Sequence, residues 1–306
     1  MQKMLRGYLH SRYAKSFTDF GIPCELPRCG SWIIKRQIPG FPYYDAMCCY
    51  PLFICQDLTQ LEVDLEEIGS DLISLSIVTD PFGDFDKDYL KKSFKDVIVP
   101  FKDHFVVDLH CSINDFVSAH HRRYARKALQ NLTIERCENP IQFLDEWLSL
   151  YSILIKRHKI EGMLKFSRDA FSKQLTVPGI VAFRAMYGEK TVGMLLWYIQ
   201  GEVGYYHLGA FSEHGYEMRA SFGLFWFAIN YLADYGLRWL NLGGGAGVIG
   251  EKSNGLSRFK RGWSTGTLTV YFCGRIFDQA RYTKLTKEKG FHANDYFPAY
   301  RQGEFR

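Results

Sequence analysis

Three apolar segments of nearly equal length follow one another in the second half of the chain, separated only by short turns. They are GIVAFRAMYG (179–188), TVGMLLWYIQG (191–201) and EVGYYHLGAFS (202–212). Segments rich in β-branched and aromatic residues and joined by short turns, two of them containing Gly, are typical of an antiparallel meander. The next segment, 216–236, has apolar residues three to four positions apart, which predicts a long helix. With strands predicted at 237–245 and 265–274, this order favours an α/β or α+β domain with a mixed sheet.

The first half of the chain also alternates between strand-like and helix-like segments. Its apolar runs predict strands at 31–38, 71–83, 105–111 and 132–140, helices at 60–69, 89–97 and 112–132, and either a strand or a helix start at 50–58. A length of 306 residues suits two domains, and Pro140 marks a break between the halves. We therefore expect tandem domains at 1–137 and 138–306.

Hydropathy and the spacing of cysteines and histidines argue against a membrane protein, a secreted protein and a metal site. The longest nearly apolar run, 222–233, has 12 residues and includes Asn230, whereas a helix that crosses a bilayer needs about 20. No apolar segment follows the basic N-terminus, so no signal peptide is predicted. The eight cysteines form no C-x-x-C pair, and the histidines form no H-E-x-x-H motif. We expect a cytoplasmic protein with reduced thiols, no integral membrane segment and no metal.

The positive charge of the chain is concentrated in its last third. Residues 215–306 contain 13 Lys/Arg and 7 Asp/Glu, a net charge of +6, while the remaining residues contain 25 and 26, a net charge of −1. A basic region of this kind suits a phosphate-bearing partner such as a nucleotide or an RNA end. It also suits a solvated basic surface without a ligand.

Two nucleotide-binding motifs are only superficially matched. Gly245, Gly247 and Gly250 have the G-x-G-x-x-G spacing, but no helix is predicted directly after them and the next acidic residue after Glu251 is Asp278. Segment 245–253 also resembles a phosphate-binding loop, yet Glu251 stands where that loop needs lysine. Neither a dinucleotide site nor a nucleoside triphosphatase is predicted.

Segments HLGAFSEHGYEMRASFGLFWFAINYLADYGLRWLNLGGG (207–245) and GLSRFKRGW (255–263) together resemble the Fem-type aminoacyltransferases and related acetyltransferase-like proteins of cell-envelope and polysaccharide genes. Segment 106–129 resembles the strand and basic helix of their first domain more weakly. The resemblance implies tandem GNAT-like domains and transfer of an acyl or aminoacyl group to an amine of a small molecule or cell-envelope precursor. It also implies that the tail 277–306 can pack back on the first domain. In one respect the chain departs from acetyl-CoA enzymes, whose long helix starts with a Gln/Arg-x-x-Gly-x-Gly/Ala loop. Here that place holds Arg219-Ala-Ser-Phe-Gly223, so acyl-CoA and aminoacyl-tRNA both remain possible donors.

Acyl transfer to an amine needs a neutral nucleophile, a stabilised oxyanion and a protonated leaving group. Lys260, in the matching Phe-Lys-x-Gly motif, is the candidate for stabilising developing negative charge or a donor phosphate. We expect its ammonium to be exposed in the cleft of the second domain, so that Lys260→Ala would slow turnover about a hundredfold and leave stability nearly unchanged. His207 is a candidate base for the amine proton, and Tyr205 or Tyr206 a candidate acid for the leaving group.

Binding roles are predicted for residues around these candidates. Candidate donor-binding residues lie at the start of the long helix, at the end of the strand before the Gly-rich loop, and beside Lys260: Arg219, Ser221, Asn241, Gly243, Gly244, Gly245, Arg258 and Arg261. The candidate acceptor-binding residues are Arg122, Arg123 and Arg126 on the basic helix. The alternative function is a catalytically degenerate GNAT-like module that binds RNA or a protein partner, since basic and aromatic residues alternate in the last third.

Overall fold

The computed structural model describes residues 5–83, 87–245, 255–291 and 296–304. Its strands are β1 (Ile22–Leu26), β2 (Ser31–Gln37), β3 (Tyr44–Cys48), β4 (Ser74–Val78), β5 (Val97–Asp108), β6 (Thr133–Cys137), β7 (Ile180–Tyr187), β8 (Lys190–Gln200), β9 (Val203–Phe211), β10 (Trp239–Gly243) and β11 (Gly266–Ile276). Its α-helices are α1 (Ser11–Ala14), α2 (Leu61–Gly69), α3 (Lys87–Ser93), α4 (Ile113–Phe116), α5 (Ala119–Leu129), α6 (Leu144–His158), α7 (Arg168–Gln174), α8 (Glu213–Glu217), α9 (Ala220–Asp234), α10 (Gly255–Arg261) and α11 (Gln279–Glu288). The predicted mixed α/β class is confirmed.

Two compact units share the chain, and each is built from two separate stretches. The first unit comprises Met1–His10 and Lys102–Leu268, and the second comprises Ser11–Phe101 and Thr269–Arg306. The predicted boundary at 137/138 lies inside the first unit, where β6 pairs with β7. The physical reason is that Pro140 starts a short 3-10 turn leading directly into α6, so the sequence signal for a linker is a helix entry. The tail 277–306 belongs to the same unit as residues 11–101.

The first unit contains strands in the order β5-β10-β9-β8-β7-β6. β9 and β10 run parallel, and the remaining neighbours run antiparallel, so the predicted meander of β7, β8 and β9 is confirmed. Helix α9 packs on α5 and against this meander. Its apolar residues Leu224 and Phe225 enter the core together with Trp197 and Trp263, all nearly inaccessible to solvent. Burial of this apolar surface is the main stabilising term for the unit.

The helix predicted at 216–236 is interrupted near its start. Ser212 caps α8 by accepting from the Gly215 N–H, and α9 begins one residue after Arg219, whose φ of 59° is left-handed. A Cβ on Gly215 would lie 2.0 Å from the Val192 carbonyl oxygen, so only glycine lets α8 approach β8 this closely. The result is a separate short helix, α8, before α9, whose N-cap Arg219 makes no side-chain capping hydrogen bond.

The second unit contains strands in the order β1-β2-β3-β4-β11. β3 and β4 run parallel and the other pairs run antiparallel. Strands β1 and β3 fall in stretches for which no strand was predicted, because their polar residues hide the alternation. The segment 50–58 forms no regular strand; Phe53 makes an isolated bridge to Thr79 beside the core.

A buried ionic network lies in the second unit. Asp45 is completely buried and accepts from Arg301 at 2.6 Å (Nε to Oδ2) and 3.0 Å (Nη2 to Oδ1). Arg36 lies 3.3 Å from the same carboxylate and donates to Glu304 at 2.8 Å. Because burying a charge is costly unless it is paired, this network ties residues 301–304 to β2 and β3.

None of the helices in the described residues combines the length and the apolar character that crossing a bilayer requires.

Candidate active site

The Lys260 side chain is held inside the first unit on the short helix α10. The residue is only 6% exposed, and its Nζ donates to the Gly244 carbonyl oxygen at 2.6 Å. The ammonium also lies 5.7 Å from the ring centroid of Tyr206. The expectation of an exposed ammonium is wrong, because α10 turns this side chain towards the core while Arg258 and Arg261 point outwards.

Burial changes the acid–base properties of Lys260. Loss of solvation, with a smaller repulsion from Lys102, lowers the pKa of Lys260 to about 7. In the described part of the chain Lys260 pairs with no carboxylate. An ammonium group carries several N–H donors, and the described residues accept one of them. The remaining donors can bind an anion or a developing oxyanion.

Glycines after β10 make room for the lysine. Gly243 has a φ of +75°, and a Cβ built on it would lie 3.1 Å from Lys260 Nζ. A side chain at this position would therefore be strained and would press on the ammonium. Gly244 supplies the carbonyl oxygen to which Lys260 donates.

Asn241 connects this loop to a histidine that sequence reasoning missed. The Asn241 Oδ1 accepts from the Gly243 N–H at 2.8 Å and lies 3.1 Å from His104 Nδ1. Because the backbone N–H can only donate, the amide oxygen is identified, and Nδ1 of His104 must then carry the proton. Burial, followed by repulsion from Lys260, lowers the pKa of His104 to about 3, although the Asn241 hydrogen bond acts in the opposite direction. His104 is thus a neutral imidazole.

Lys102 is the second basic group that the sequence analysis missed. It precedes His104 by two residues on β5, and its Nζ lies 3.5 Å from the Gly245 carbonyl oxygen. Desolvation lowers the pKa of Lys102 as well. Residues two apart on a strand point to one face, so Lys-x-His before the apolar run Phe105–Val107 was the available signal. The two lysines and His104 converge on the loop Gly243–Gly245.

Helix α10 is fixed to α5 through His121. The ring Nε2 lies 3.0 Å from the Phe259 carbonyl oxygen, and Nδ1 lies 2.7 Å from the Ser118 hydroxyl. Gly262, the glycine of the Phe-Lys-x-Gly motif, faces the same ring: a Cβ there would lie 2.1 Å from His121 Cε1. The motif glycine therefore permits the contact that sets the direction of Lys260.

The predicted catalytic set divides between the two faces of the sheet. Tyr206 packs against Trp197 and Phe225 on the Lys260 side. His207 instead lies 3.3 Å from the Tyr8 hydroxyl and 3.3 Å from the Gln174 Oε1, and Tyr205 packs on the Tyr8 ring. Burial lowers the pKa of His207 to about 3. The structure therefore does not bring His207 and Tyr205 together with Lys260, and a base role for His207 in that site has no geometric support.

The entrance of α9 carries a cation and an aromatic ring. The Arg219 guanidinium lies 4.2 Å from the ring centroid of Tyr124 on α5, and Ser221 is half-buried on the first turn of α9. On the basic helix, Arg123 lies 5.2 Å from the same ring and Arg126 is exposed. The Arg122 guanidinium instead donates to the backbone carbonyl oxygens of Asn114 and Val117 at the end of α4.

Gly247, Gly250 and Glu251 of the two nucleotide-binding motifs lie outside the described residues. Among the residues described, no three His, Cys, Asp or Glu side chains are close enough to hold a metal ion.

Comparisons with known proteins agree with this architecture. Residues 117–261 match the family model of the acetyltransferase (GNAT) domain, a stretch that includes α5, α9, β10 and Lys260. No curated protein matches the chain in sequence.

Solved structures resemble the chain over nearly its whole length. FemX aligns with a TM-score of 0.66 at 13% identity, covering 92% of this chain and 94% of its own. L-PGS from Bacillus licheniformis aligns with a TM-score of 0.60 at 14% identity, covering 95% and 100%. At these identities the likeness shows the fold. Residues 117–261 are thus similar to a GNAT-type acetyltransferase domain, and the chain as a whole shares the fold of FemX and L-PGS.

Proposed function

We propose that the chain is an N-acyltransferase that moves an acyl or aminoacyl group from an activated donor to an amine. The observation that carries the proposal is the Lys260 ammonium, which is buried beside a Gly-rich loop and keeps N–H donors that the described residues leave unused. Preorganised donors in a water-poor site are the usual means of stabilising the oxyanion of acyl transfer.

The likeness to FemX and to L-PGS supports aminoacyl transfer, whereas the family model of residues 117–261 supports acetyl transfer. The first turn of α9 lacks the glycine pair of acetyl-CoA enzymes, and Arg219, Tyr124 and Arg123 lie there instead. Cations stacked on an aromatic ring at a helix N-terminus suit a phosphate-rich donor. An acyl-CoA and an aminoacyl-tRNA both meet that description.

The donor is identified by the ligand that stabilises the protein. Melting temperatures are measured with coenzyme A, acetyl-CoA, aminoacyl-tRNA and uncharged RNA, since a ligand that binds the folded state raises the melting temperature. If the donor is aminoacyl-tRNA, binding weakens steeply with salt. Tight binding of acetyl-CoA that is insensitive to salt identifies the thioester. Stabilisation by RNA of any kind, without acyl transfer, supports the RNA-binding module instead.

Removing the Lys260 charge tests whether the ammonium stabilises the oxyanion, with the donor that the melting temperatures identify as substrate. Lys260→Met keeps most of the buried side-chain volume and removes the ammonium, so turnover should fall by about a hundredfold, which corresponds to losing roughly 3 kcal/mol of oxyanion stabilisation. The protein should not lose stability, because replacing a buried charge by an apolar group of similar size is often neutral or stabilising.

The matched control is Lys284→Met on α11, where the side chain is 69% exposed. It should leave turnover unchanged. Normal turnover of Lys260→Met would remove Lys260 from the mechanism.

A further inference from the structure

His104 is the group in this site whose chemistry the proposed function leaves unused. It is 7% exposed, and its Nδ1–H is engaged by Asn241. The opposite nitrogen, Nε2, has no hydrogen-bond partner among the described residues, so its lone pair is available to a ligand. The neighbouring ring atom Cδ2 lies 3.3 Å from the position of a Cβ on Gly244, whose carbonyl oxygen Lys260 holds. Both groups therefore border the same loop residue.

The surroundings of His104 are arranged to keep Nε2 as an acceptor. Asn241 Oδ1 is itself held by the Gly243 N–H, so it cannot present a donor to the ring. The charged groups that face His104 are Lys260 and Lys102, both cations, and each disfavours a proton on the imidazole. A ligand that completes the hydrogen bonding must bring an N–H or O–H to Nε2.

The two lysines also restrict which form of an amine can enter. A protonated amine beside the Lys260 ammonium would be repelled by a like charge in a poorly solvated place. A neutral amine has N–H groups to donate and keeps its own lone pair for attack on the acyl carbon. It is also the form that nucleophilic acyl transfer requires.

We propose that His104 binds the acceptor amine, an inference that rests on the proposed acyl transfer. The His104 Nε2 accepts a hydrogen bond from the N–H of the neutral amine and so orients the amine lone pair towards the acyl group. Asn241 is the positioning residue that fixes the tautomer. Lys260 acts on the donor oxygen, so the two side chains divide acceptor and donor between them.

Nitrogen-15 NMR of the full chain labelled in histidine tests the binding step without any turnover. The His104 signals, assigned by their loss in His104→Gln, should show a neutral ring with the proton on Nδ1 from about pH 5 to about pH 8. Hydroxylamine, an amine that is largely neutral near pH 7, is then titrated as the probe. We expect a saturable change of the Nε2 signal. A proton on Nε2, or an Nε2 signal that hydroxylamine leaves unmoved, would overturn the inference.

Kinetics supply the second measurement, with acetyl or aminoacyl transfer to hydroxylamine followed as the hydroxamate. His104→Ala should lower kcat/KM for hydroxylamine by about tenfold, the effect of one lost hydrogen bond, and leave donor affinity unchanged. His104→Gln, whose side chain again offers an acceptor oxygen, should recover part of the loss. His110→Ala, at an exposed histidine after β5, is the control and should behave as the native chain.

The two proposals fail separately. If no donor is turned over but hydroxylamine moves the Nε2 signal, His104 binds amines and the acyltransferase proposal is wrong. If transfer proceeds and His104→Ala matches the native chain in kcat/KM for hydroxylamine, the acyltransferase stands and His104 has no part in acceptor binding.

Discussion

Lys260 owes its properties to the residues that remove water from it. Its neighbours are a carbonyl oxygen and the Tyr206 ring, and the charged group that influences it is another lysine. In such a place the charged form is costly in the free protein and is favoured once an anionic ligand arrives. The charge on Lys260 is therefore coupled to occupation of the site.

This coupling predicts a particular pH dependence of the rate. With a pKa of about 7 in the free protein, Lys260 loses its proton as pH rises through neutrality, so kcat/KM should decline above about pH 7. A bound anionic donor raises the pKa, so kcat should decline at higher pH than kcat/KM. In Lys260→Arg the guanidinium stays protonated, and the decline should disappear although the rate is lower. If kcat/KM of Lys260→Arg still declines above about pH 7 as in the native chain, the decline is due to the titration of another group.

The buried His207 predicts an effect on stability instead. Its pKa is about 3 in the folded chain and about 6.5 when unfolded, so between these values the unfolded state binds more protons. The contribution of the neutral His207 to stability should therefore be fully present above pH 6.5. The free energy of unfolding should fall by a few kcal/mol as pH decreases from there towards about 3. His104 acts with the same sign.

Urea unfolding at a series of pH values checks the His207 contribution. His207→Gln removes the titrating group, so its stability should fall less on acidification than that of the native chain. His110→Gln, at an exposed position, is the control. Parallel pH curves for His207→Gln and the native chain would contradict the prediction.

At the scale of elements, α10 carries Lys260 in a direction set by α5. Gly262→Ala should push α10 away from His121, because the new Cβ would lie 2.1 Å from the ring. We expect a loss of about 1–3 kcal/mol in the free energy of unfolding and a slower turnover. Gly266→Ala is the matched control, since a Cβ there meets no atom within 4 Å.

A double variant separates the clash from other effects of alanine. In Gly262→Ala/His121→Ala the ring is absent, so the two losses of stability should not add. Strict additivity would show that the His121 ring is not what requires glycine at 262.

Elements also show where sequence patterns were sufficient. The strands β7, β8 and β9 have strong apolar alternation and were predicted within a residue or two. For β5 the pattern predicted only 105–111, whereas the strand runs from Val97 to Asp108. The part of β5 before residue 105, which was not predicted as strand, contains Lys102 and His104. Polar residues buried for a functional site break the apolar pattern that identifies a strand. The motif that resembled a family identified Lys260, but no local pattern revealed which strand lies beside it.

On the scale of the whole molecule, the buried network around Asp45 predicts a large stability effect. Arg301→Leu would leave the Asp45 carboxylate buried with Arg36 as its remaining pair, and such a loss typically costs about 3–5 kcal/mol. Arg28→Leu, which breaks an exposed ion pair with Glu67, should cost less than about 1 kcal/mol. Chemical unfolding of both variants measures the difference. Equal losses would show that the buried network is not a major contributor.

The division of the whole chain could not be predicted from its length. A Pro-marked break between two similar halves suggested consecutive domains, but each compact unit takes residues from distant parts of the sequence. Contacts such as Tyr8 with His207, 199 positions apart, leave no local trace in composition or periodicity. They depend on the partner residue, which a single sequence does not identify.

The interleaving of the two units has a consequence for synthesis on the ribosome. Tyr8 is made before the stretch 11–101 of the other unit, whereas its partners Gln200 and His207 are made after that stretch. The stretch 11–101 in turn waits for Arg301, which pairs with Asp45 and is made after the last residue of the first unit. The first unit can be completed only after residues 11–101 of the second have been made, and the second unit only after the first, so nascent chains expose an unfinished sheet while residues 102–268 are synthesised. A pause within 102–268 should therefore increase aggregation of this protein more than an equal pause in a protein of consecutive domains.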